Sequence, residues 1–197
     1  MAEKVDRRVR KTKAQLRAGL ARLMQKKSIK EITVKELVEE VDINRSTFYL
    51  HYTDIYQMLE SIEAELMDEV SHLVEDYPLD PLNNKESSYP FIEQIFTILD
   101  NNKDICIALL GSNGDMGFVS RMEKMVADTV LRQLSGKFAA DNHDVEYVYA
   151  FCLNGCVGMI KAWLSSEHRE STKHIAELTN RMIENTTHDF LRQIPNA

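Results

Sequence analysis

Four side chains that can bind base edges or phosphate groups lie within five consecutive residues: Arg45, Ser46, Thr47 and Tyr49. Serine and threonine hydroxyls donate or accept hydrogen bonds, and an arginine guanidinium binds guanine edges or phosphate oxygens. Phe48 and Tyr52 are four residues apart, so on a helix they can pack inward while the polar groups point elsewhere. The pattern suits a short helix that enters the DNA major groove, although an ordinary helical hairpin in an all-α core has the same spacing.

The residues before Arg45 predict the elements that would position this helix. Thr33 and Glu36 have the spacing of a capping box, which would begin a preceding helix. We expect a turn at residues 42–44 and a second helix from Arg45 to about Tyr52, begun by the Asn44 side chain accepting from the amide of Ser46 or Thr47. A helix over about residues 6–27 would complete a small three-helix core. The apolar residues predicted to form that core are Leu16, Leu20, Leu23, Met24, Leu37, Val38, Val41 and Phe48.

The distribution of charge supports a nucleic-acid partner. The chain as a whole carries a net charge of −7, but residues 1–50 contain 13 Lys/Arg and 7 Asp/Glu, a net charge of +6. The remaining residues contain 11 Lys/Arg and 24 Asp/Glu, a net charge of −13. A basic N-terminal module on an acidic body is what phosphate binding requires. Lys4, Arg7, Arg8 and Lys11 could extend this basic surface along the phosphates.

The rest of the chain predicts further helices and an all-α fold. Seven glycines and four prolines cluster mainly at residues 77–90 and 111–117, which we expect to be loops, with long helical patterns elsewhere. The GSNGDMG segment has no P-loop spacing and is expected to be an interhelical turn. The later helices are predicted at about 54–76, 89–101, 103–110, 118–134, 143–167 and 171–193, which brings the total to about nine.

The most apolar stretch is residues 147–160, which we expect to be a buried helix and not a membrane span because Asn154 interrupts it. Small side chains recur there every four residues, at Ala150, Asn154, Gly158 and Ala162. Such a stripe favours a helix-pair interface between two subunits, with a central core helix of one subunit as the alternative. Three cysteines and a charged first segment without an apolar leader favour the cytoplasm.

The sequence does not predict an enzyme. It contains no recognisable nucleophile–base pair or paired carboxylates, and no histidine lies near Cys152 and Cys156 to complete a zinc site. A redox role for these two thiols conflicts with their apolar surroundings, which would raise the thiol pKa. We therefore expect no catalytic residues, no metal and no cofactor.

Residues Thr33–Leu59, which read TVKELVEEVDINRSTFYLHYTDIYQML, resemble the N-terminal domain of the TetR family of bacterial transcriptional regulators. The segment from Thr47 to Tyr52 is the most specific part, and the resemblance extends through the first helix to cover about 60 residues. The segment FCLNGCVGMIKAWL (Phe151–Leu164) looks like the penultimate helix of one TetR C-terminal class. One position departs from the family: Ile55 stands where a phosphate-binding lysine is usual, beside Asp54.

The resemblance implies a helix-turn-helix DNA-binding domain over residues 1–53 and a helical effector-binding and dimerisation domain over residues 54–197. It implies a homodimer joined through the last two helices, with two recognition helices in successive major grooves of a near-palindromic double-stranded DNA operator. Arg45, Ser46, Thr47 and Tyr49 would contact bases or phosphates, and His51 would contact phosphate. Thr33 and Lys35 would contact the opposite phosphate wall of the groove.

The same resemblance implies a repressor that a small-molecule effector releases from DNA. Candidate residues of the effector pocket are the aromatic and methionine side chains Phe96, Met122, Met125, Tyr147, Met159 and Trp163, which could equally be plain core. An alternative function is a co-regulator that acts mainly through protein–protein contacts of its acidic C-terminal domain.

Overall fold

The computed structural model of this protein describes residues 2–77, 89–134 and 143–193. Within these ranges the chain is all-helical, as predicted. The prediction of a loop over residues 78–88 lies outside the described residues. In chain order the helices are α1 Ala2–Met24, a 3-10 helix Ile29–Glu31, α2 Val34–Glu40, α3 Arg45–Tyr49, α4 Ile55–Asp76, α5 Tyr89–Asn101, α6 Lys103–Leu110, α7 Met116–Leu134, α8 His143–Ser165 and α9 Thr172–Gln193.

The chain divides into two compact units. The first contains Met1–Met67 and Asn102–Val119, and the second contains Asp68–Asn101 and Ser120–Ala197. The first unit therefore includes α6 in addition to the predicted N-terminal helices. The GSNGDMG segment connects α6 to α7 as predicted. A Cβ atom on its Gly114 would lie 1.9 Å from the Leu109 carbonyl oxygen, so only glycine allows the chain to turn this closely.

In the first unit, α1 packs against α2 and α6, and α2 packs against α3. The predicted core residues Leu16, Leu20, Leu37 and Phe48 are fully buried, whereas Val41 is partly buried. Arg17 on α1 donates to Asn102 Oδ1 at 2.8 Å and forms a 3.3 Å ion pair with Glu65 of α4. These contacts join α1 to α4 and to Asn102, the residue before α6.

Gly19 allows α1 and α2 to approach each other closely. A Cβ atom at this position would lie 2.3 Å from Val41 Cγ1 and 3.1 Å from Leu37 Cδ1.

We expect Gly19→Ala to destabilise the protein, because overpacking of about 1–3 kcal/mol outweighs the roughly 1 kcal/mol that alanine gains in helix propensity. Urea unfolding followed by circular dichroism measures the effect. The double variant Gly19→Ala/Val41→Ala is the control: it should cost less than the two single changes together, and strict additivity would contradict the proposed overlap.

In the second unit, α9 packs against α5 and α8. Phe96 and Trp163 meet edge to face, with ring centroids 5.3 Å apart, and the Trp163 indole donates to the Glu170 carbonyl oxygen at 2.8 Å. The guanidinium of Arg169 lies 5.0 Å from the centre of the Trp163 ring and forms a 3.3 Å ion pair with Asp100. A second apolar cluster surrounds Val70, Val74 and Val130.

The prediction that residues 147–160 form a buried helix is wrong for the single chain. Tyr147 is 74% exposed and Phe151 is 68% exposed, and all four small residues of the predicted stripe are exposed as well. A Cβ atom on Gly158 would meet no atom within 4 Å. The alternative of a core helix within one subunit therefore fails. Length and composition alone would also allow a membrane span over Asp144–Ser165, a test that helices of soluble proteins pass as well.

Candidate nucleic-acid interface

Two successive caps lie at and before the start of α2: Thr33 begins α2 itself, and Ser28 begins the short 3-10 helix Ile29–Glu31. The Thr33 hydroxyl oxygen accepts from the Glu36 amide at 3.2 Å, as predicted, but the Glu36 carboxylate binds Lys27 at 2.5 Å instead of returning to Thr33. This hydrogen bond from Lys27 lowers the pKa of Glu36. A complete capping box lies one step earlier, between Ser28 and Glu31, where the sequence analysis predicted no helix. The predicted capping box at Thr33 is thus half correct.

The turn between α2 and α3 is a Schellman motif. The Ile43 amide donates to the Val38 carbonyl at 3.0 Å, and the Asp42 amide donates to the Glu39 carbonyl at 3.4 Å. Asp42 has a positive φ of 53°, the left-handed conformation that this motif requires and that glycine adopts at the lowest cost. The predicted turn is therefore confirmed, with an aspartate at its most demanding position.

We expect Asp42→Gly to stabilise the protein by about 0.5–1 kcal/mol, because glycine removes the steric cost of the left-handed conformation. Urea unfolding of the wild-type protein and this variant measures the difference. Asp42→Val is the opposing control, since a β-branched side chain is strongly disfavoured at positive φ. If the glycine variant were less stable than the wild type, strain at Asp42 would be ruled out.

Helix α3 is shorter than predicted and is capped differently. It spans Arg45–Tyr49, and the chain then makes one further turn in which the amides of His51 and Tyr52 donate to the Phe48 carbonyl. The Asn44 side chain makes no capping hydrogen bond, so the prediction that it accepts from Ser46 or Thr47 is wrong. The Asn44 backbone carbonyl instead accepts from the Phe48 amide at 3.3 Å, the ordinary first bond of an α-helix, and from the Thr47 amide at 2.9 Å in the tighter 3-10 pattern.

The aromatic side chains of this segment orient α3. Phe48 is fully buried and Tyr52 is buried, which confirms their predicted packing role. The Phe48 ring lies edge-on to Tyr49, with centroids 5.4 Å apart, and 5.8 Å from the Tyr52 ring. The Lys13 ammonium lies 5.7 Å from the Tyr52 ring centre, and burial raises the pKa of the Tyr52 phenol. Because one side of α3 is anchored in this way, its other side faces outward.

The predicted DNA-contacting residues remain accessible. Arg45, Ser46 and Tyr49 are exposed, with Tyr49 57% exposed, and Thr47 and His51 are partly exposed. At the start of α2, Thr33 and Lys35 are exposed, and the 4.0 Å contact of Lys35 with Glu39 is too open to immobilise the lysine. Sequence reasoning missed Leu50, which is 79% exposed beside Tyr49. The sequence did contain a signal of this exposure, because Leu50 lies off the helix face that carries Phe48 and Tyr52.

Not every basic residue of this unit is available for phosphate. Arg17, Arg22 and Lys27 are held in ion pairs with Glu65, Glu40 and Glu36. Along α1, Arg7, Arg8 and Lys11 are exposed, whereas the side chain of Lys4 lies outside the described residues. The basic surface consequently comprises part of α1 together with α2 and α3.

The two residues at the start of α4 have structural roles. Ile55 is 3% exposed and packs into the first unit. Asp54 accepts from the Gln57 amide at 2.8 Å, so its carboxylate caps α4 and complements the helix dipole. The Asp54 carboxylate, which lies close to α3 in the sequence, therefore has a partner in its own chain.

The predicted effector-pocket residues occupy different environments of the second unit. Phe96 and Trp163 contact each other, and Met122 and Met125 pack against the cluster of Val70, Val74 and Val130. Met159 is partly buried, with its sulfur 3.7 Å from the Thr179 hydroxyl, whereas Tyr147 is largely exposed.

The thiols have the environment expected for unreactive cysteines. Burial raises the pKa of Cys152, and burial together with Cys152 raises the pKa of Cys156 to about 11. Thiols with such pKa values stay protonated at neutral pH and are poor nucleophiles and metal ligands. Among the described residues, no group of three or more His, Cys, Asp or Glu side chains could hold a metal ion.

Comparisons with known proteins agree with this architecture. A TetR-type family model described as a transcriptional regulator C-terminal region matches residues 86–185. The fold is similar to that of a TetR transcriptional regulator from Streptococcus agalactiae 2603V, with 21% identity, a TM-score of 0.55 and coverage of 93% of this chain and 99% of that chain. It is also similar to a TetR-family transcriptional regulator from Streptomyces coelicolor, with 15% identity, a TM-score of 0.62 and coverage of 91% and 80%. No curated protein matches the sequence.

Proposed function

The chain belongs to the TetR family of transcriptional regulators, which are DNA-binding proteins and not enzymes, and from this premise we propose that it is a cytoplasmic repressor. It binds a near-palindromic operator as a homodimer, and a small-molecule effector bound in the second unit releases it. The observation that carries the proposal is the exposed polar face of α3, held outward by the buried Phe48 and Tyr52 rings.

Each exposed group of α3 and of the turn that follows it has a role that its chemistry supports. Arg45 binds a guanine edge or a phosphate, and the Ser46 and Thr47 hydroxyls bind bases or phosphates. Tyr49 stacks on sugar or methyl groups and donates its hydroxyl, while His51 contacts phosphate. Leu50 adds an apolar surface suited to a thymine methyl group.

The start of α2 supplies the opposite phosphate contact. The Thr33 oxygen accepts from the Glu36 amide, which leaves its hydroxyl proton free to donate to a phosphate oxygen. Lys35 is exposed two residues later and adds a charge. These contacts set the position of α3 in the groove and carry no sequence information themselves.

The proposal is tested by fluorescence anisotropy on the DNA upstream of the gene, titrated at increasing salt concentration. A protein that neutralises six to ten phosphates loses about 10³–10⁵ in affinity between 50 and 200 mM salt, and we expect a dependence of this order. A random duplex of equal length is the control and should bind far more weakly. The absence of a salt-sensitive, sequence-selective complex would contradict repressor action at that site.

The proposed dimer is formed by α8 and α9. The exposed stripe of Ala150, Asn154, Gly158 and Ala162 would allow a second copy of α8 to approach closely, with Phe151 as an apolar anchor. The Asn154 amide already donates to the Ala150 carbonyl at 2.8 Å, so burying it costs less than burying a free amide. Met182, 54% exposed on α9, extends the apolar surface.

Release by an effector requires only a difference in affinity between two conformations. A molecule that binds the non-DNA conformer better by a few kcal/mol would shift the population away from the operator complex. Phe96, Met122, Met125, Tyr147, Met159 and Trp163 stay the candidate lining residues of this proposed pocket.

A co-regulator is the second candidate function, and the exposed Tyr147 and Phe151 side chains on α8 favour it, because they would serve another protein as well as a second copy. Pull-down of a specific partner whose binding survives Arg45→Ala and Tyr49→Ala would support this function over DNA-based repression.

A further inference from the structure

The hydroxyl of Tyr149 is a buried donor that no side chain or backbone group of the described residues satisfies. Tyr149 lies on α8, and its side chain packs against the apolar cluster formed around Val70, Val74 and Val130. Buried polar groups in folded proteins almost always have a hydrogen-bond partner, so an orphaned phenol inside an apolar cluster requires an explanation. A bound molecule that supplies the missing acceptor is one.

The position of this hydroxyl separates it from the exposed face of α8. Tyr147 and Tyr149 are two residues apart, which corresponds to about 200° around a helix, so their side chains leave it on opposite sides. Tyr147 is 74% exposed, whereas the Tyr149 hydroxyl is buried inside the second unit. The phenol that points inward is therefore Tyr149, which the candidate effector residues of the sequence analysis did not include.

The surroundings of Tyr149 define which ligand it could bind. Burial raises the pKa of its phenol, and Cys156, Asp128 and Cys152 raise it further, so the hydroxyl keeps its proton and acts as a donor. The neighbouring thiols are protonated as well, because their own pKa values are raised. Asp128 would repel an anion. A neutral acceptor suits this environment.

The rest of the cluster is apolar and adaptable. Phe91, Ile95, Met122 and Met125 pack against it and are partly buried. Methionine side chains have three rotatable bonds and can move to admit an apolar molecule. An ordered water would need two to four polar partners, and beside this hydroxyl the described residues offer only two weakly polar thiols and the exposed Asp128 carboxylate.

We propose that the interior of the second unit binds a neutral, mainly apolar molecule whose carbonyl-type oxygen accepts a hydrogen bond from the Tyr149 hydroxyl. The inference rests on the proposed function only in that it treats this molecule as the effector. Tyr149 fixes the orientation of the ligand, and the cluster around Val70, Val74 and Val130 holds its apolar body.

Calorimetric titration of the full chain, without DNA, tests the site with three probes of similar size: acetophenone, ethylbenzene and benzoate. We expect Tyr149→Phe to weaken acetophenone binding at least about fivefold while ethylbenzene affinity changes less than about twofold, because only the ketone uses the hydroxyl. Benzoate should bind more weakly than acetophenone. Tyr56→Phe removes an exposed phenol in the first unit and is the matched control, expected to change neither affinity.

A thermal melt of the ligand-free protein adds an independent readout. Tyr149→Phe should leave the midpoint unchanged or raise it by up to about 4 °C, because it removes an unsatisfied buried hydroxyl. A clear loss of stability would mean that the hydroxyl has a structural partner and would overturn the proposal.

Three binding results would also overturn it. They are no binding of acetophenone up to its solubility limit, equal weakening of acetophenone and ethylbenzene by Tyr149→Phe, and loss of ketone discrimination in Tyr147→Phe instead. Since no DNA is present, failure of this site is distinguishable from failure of operator binding, which the salt titration measures separately.

Discussion

Replacing Arg45 or Tyr49 with alanine is expected to lower operator affinity by about 1–3 kcal/mol each, which corresponds to roughly 5- to 150-fold. Both side chains project from the exposed side of α3, four residues apart, so they face the same stretch of groove. The Tyr49 ring also touches Phe48 at its edge, which limits its freedom before DNA arrives. Fluorescence anisotropy on the selected operator and on mutated operators measures both the loss and the specificity that each residue provides.

The control for this prediction is Lys124→Ala, which removes the same charge from an exposed position on α7 in the second unit. We expect Lys124→Ala to leave operator affinity nearly unchanged, and all three variants to unfold within about 0.5 kcal/mol of the wild type, because the altered side chains are exposed. Equal losses of operator affinity for Arg45→Ala and Lys124→Ala would mean that binding depends only on the overall charge of the protein, which would contradict a specific role for Arg45.

Gly158→Glu is expected to convert the dimer to a monomer and to weaken operator binding by at least about 100-fold. Nothing within the chain lies within 4 Å of a Cβ atom at Gly158, so the substitution does not disturb the protomer. In the proposed dimer it would place two unpaired carboxylates where two helices approach most closely. Two copies of α3 that are linked in a dimer bind DNA about 10²–10⁴ more tightly than one copy, and a monomer loses that gain.

Sedimentation velocity measures the oligomeric state, and circular dichroism verifies that the variant stays folded. Ser120→Glu introduces the same charge at an exposed position on α7 and should leave both the dimer and the operator affinity intact. A Gly158→Glu protein that remained dimeric would remove α8 from the proposed interface, whether or not DNA binding survived.

Helix positions were predictable wherever local chemistry determines them. Helices α5 and α6 begin and end at the residues that sequence reasoning chose, because the Asn101–Asn102 break and Gly111 interrupt the helical pattern. The capping role of Thr33 and the turn at Asp42 were predictable for the same reason. The cap at Asn44 was not, since an asparagine at this position can leave the first turn to its own backbone carbonyl, and the sequence does not reveal which way its side chain turns.

Burial in α8 could not be derived from composition. An apolar helix has the same sequence whether it fills the core of its own subunit or faces a second copy, and only the exposure of Tyr147 and Phe151 distinguishes the two. For the same reason the sequence does not distinguish Tyr147 from Tyr149 as the inward-facing phenol, because both lie in one apolar stretch. At Ile55, by contrast, the departure from the family pattern was visible in the sequence, and its burial explains why an apolar residue is accommodated.

The central claim is that two copies of α3, presented by a symmetric dimer, recognise a specific DNA sequence. Selection of bound duplexes from a random library by the purified protein tests it most directly. We expect enrichment of a near-palindromic motif whose half-sites are centred about 10–10.5 base pairs apart, or a multiple of this spacing, and whose selection fails with Arg45→Ala/Tyr49→Ala. Recovery of no common motif, or of the same motif by the wild type and this double variant, would contradict the claim.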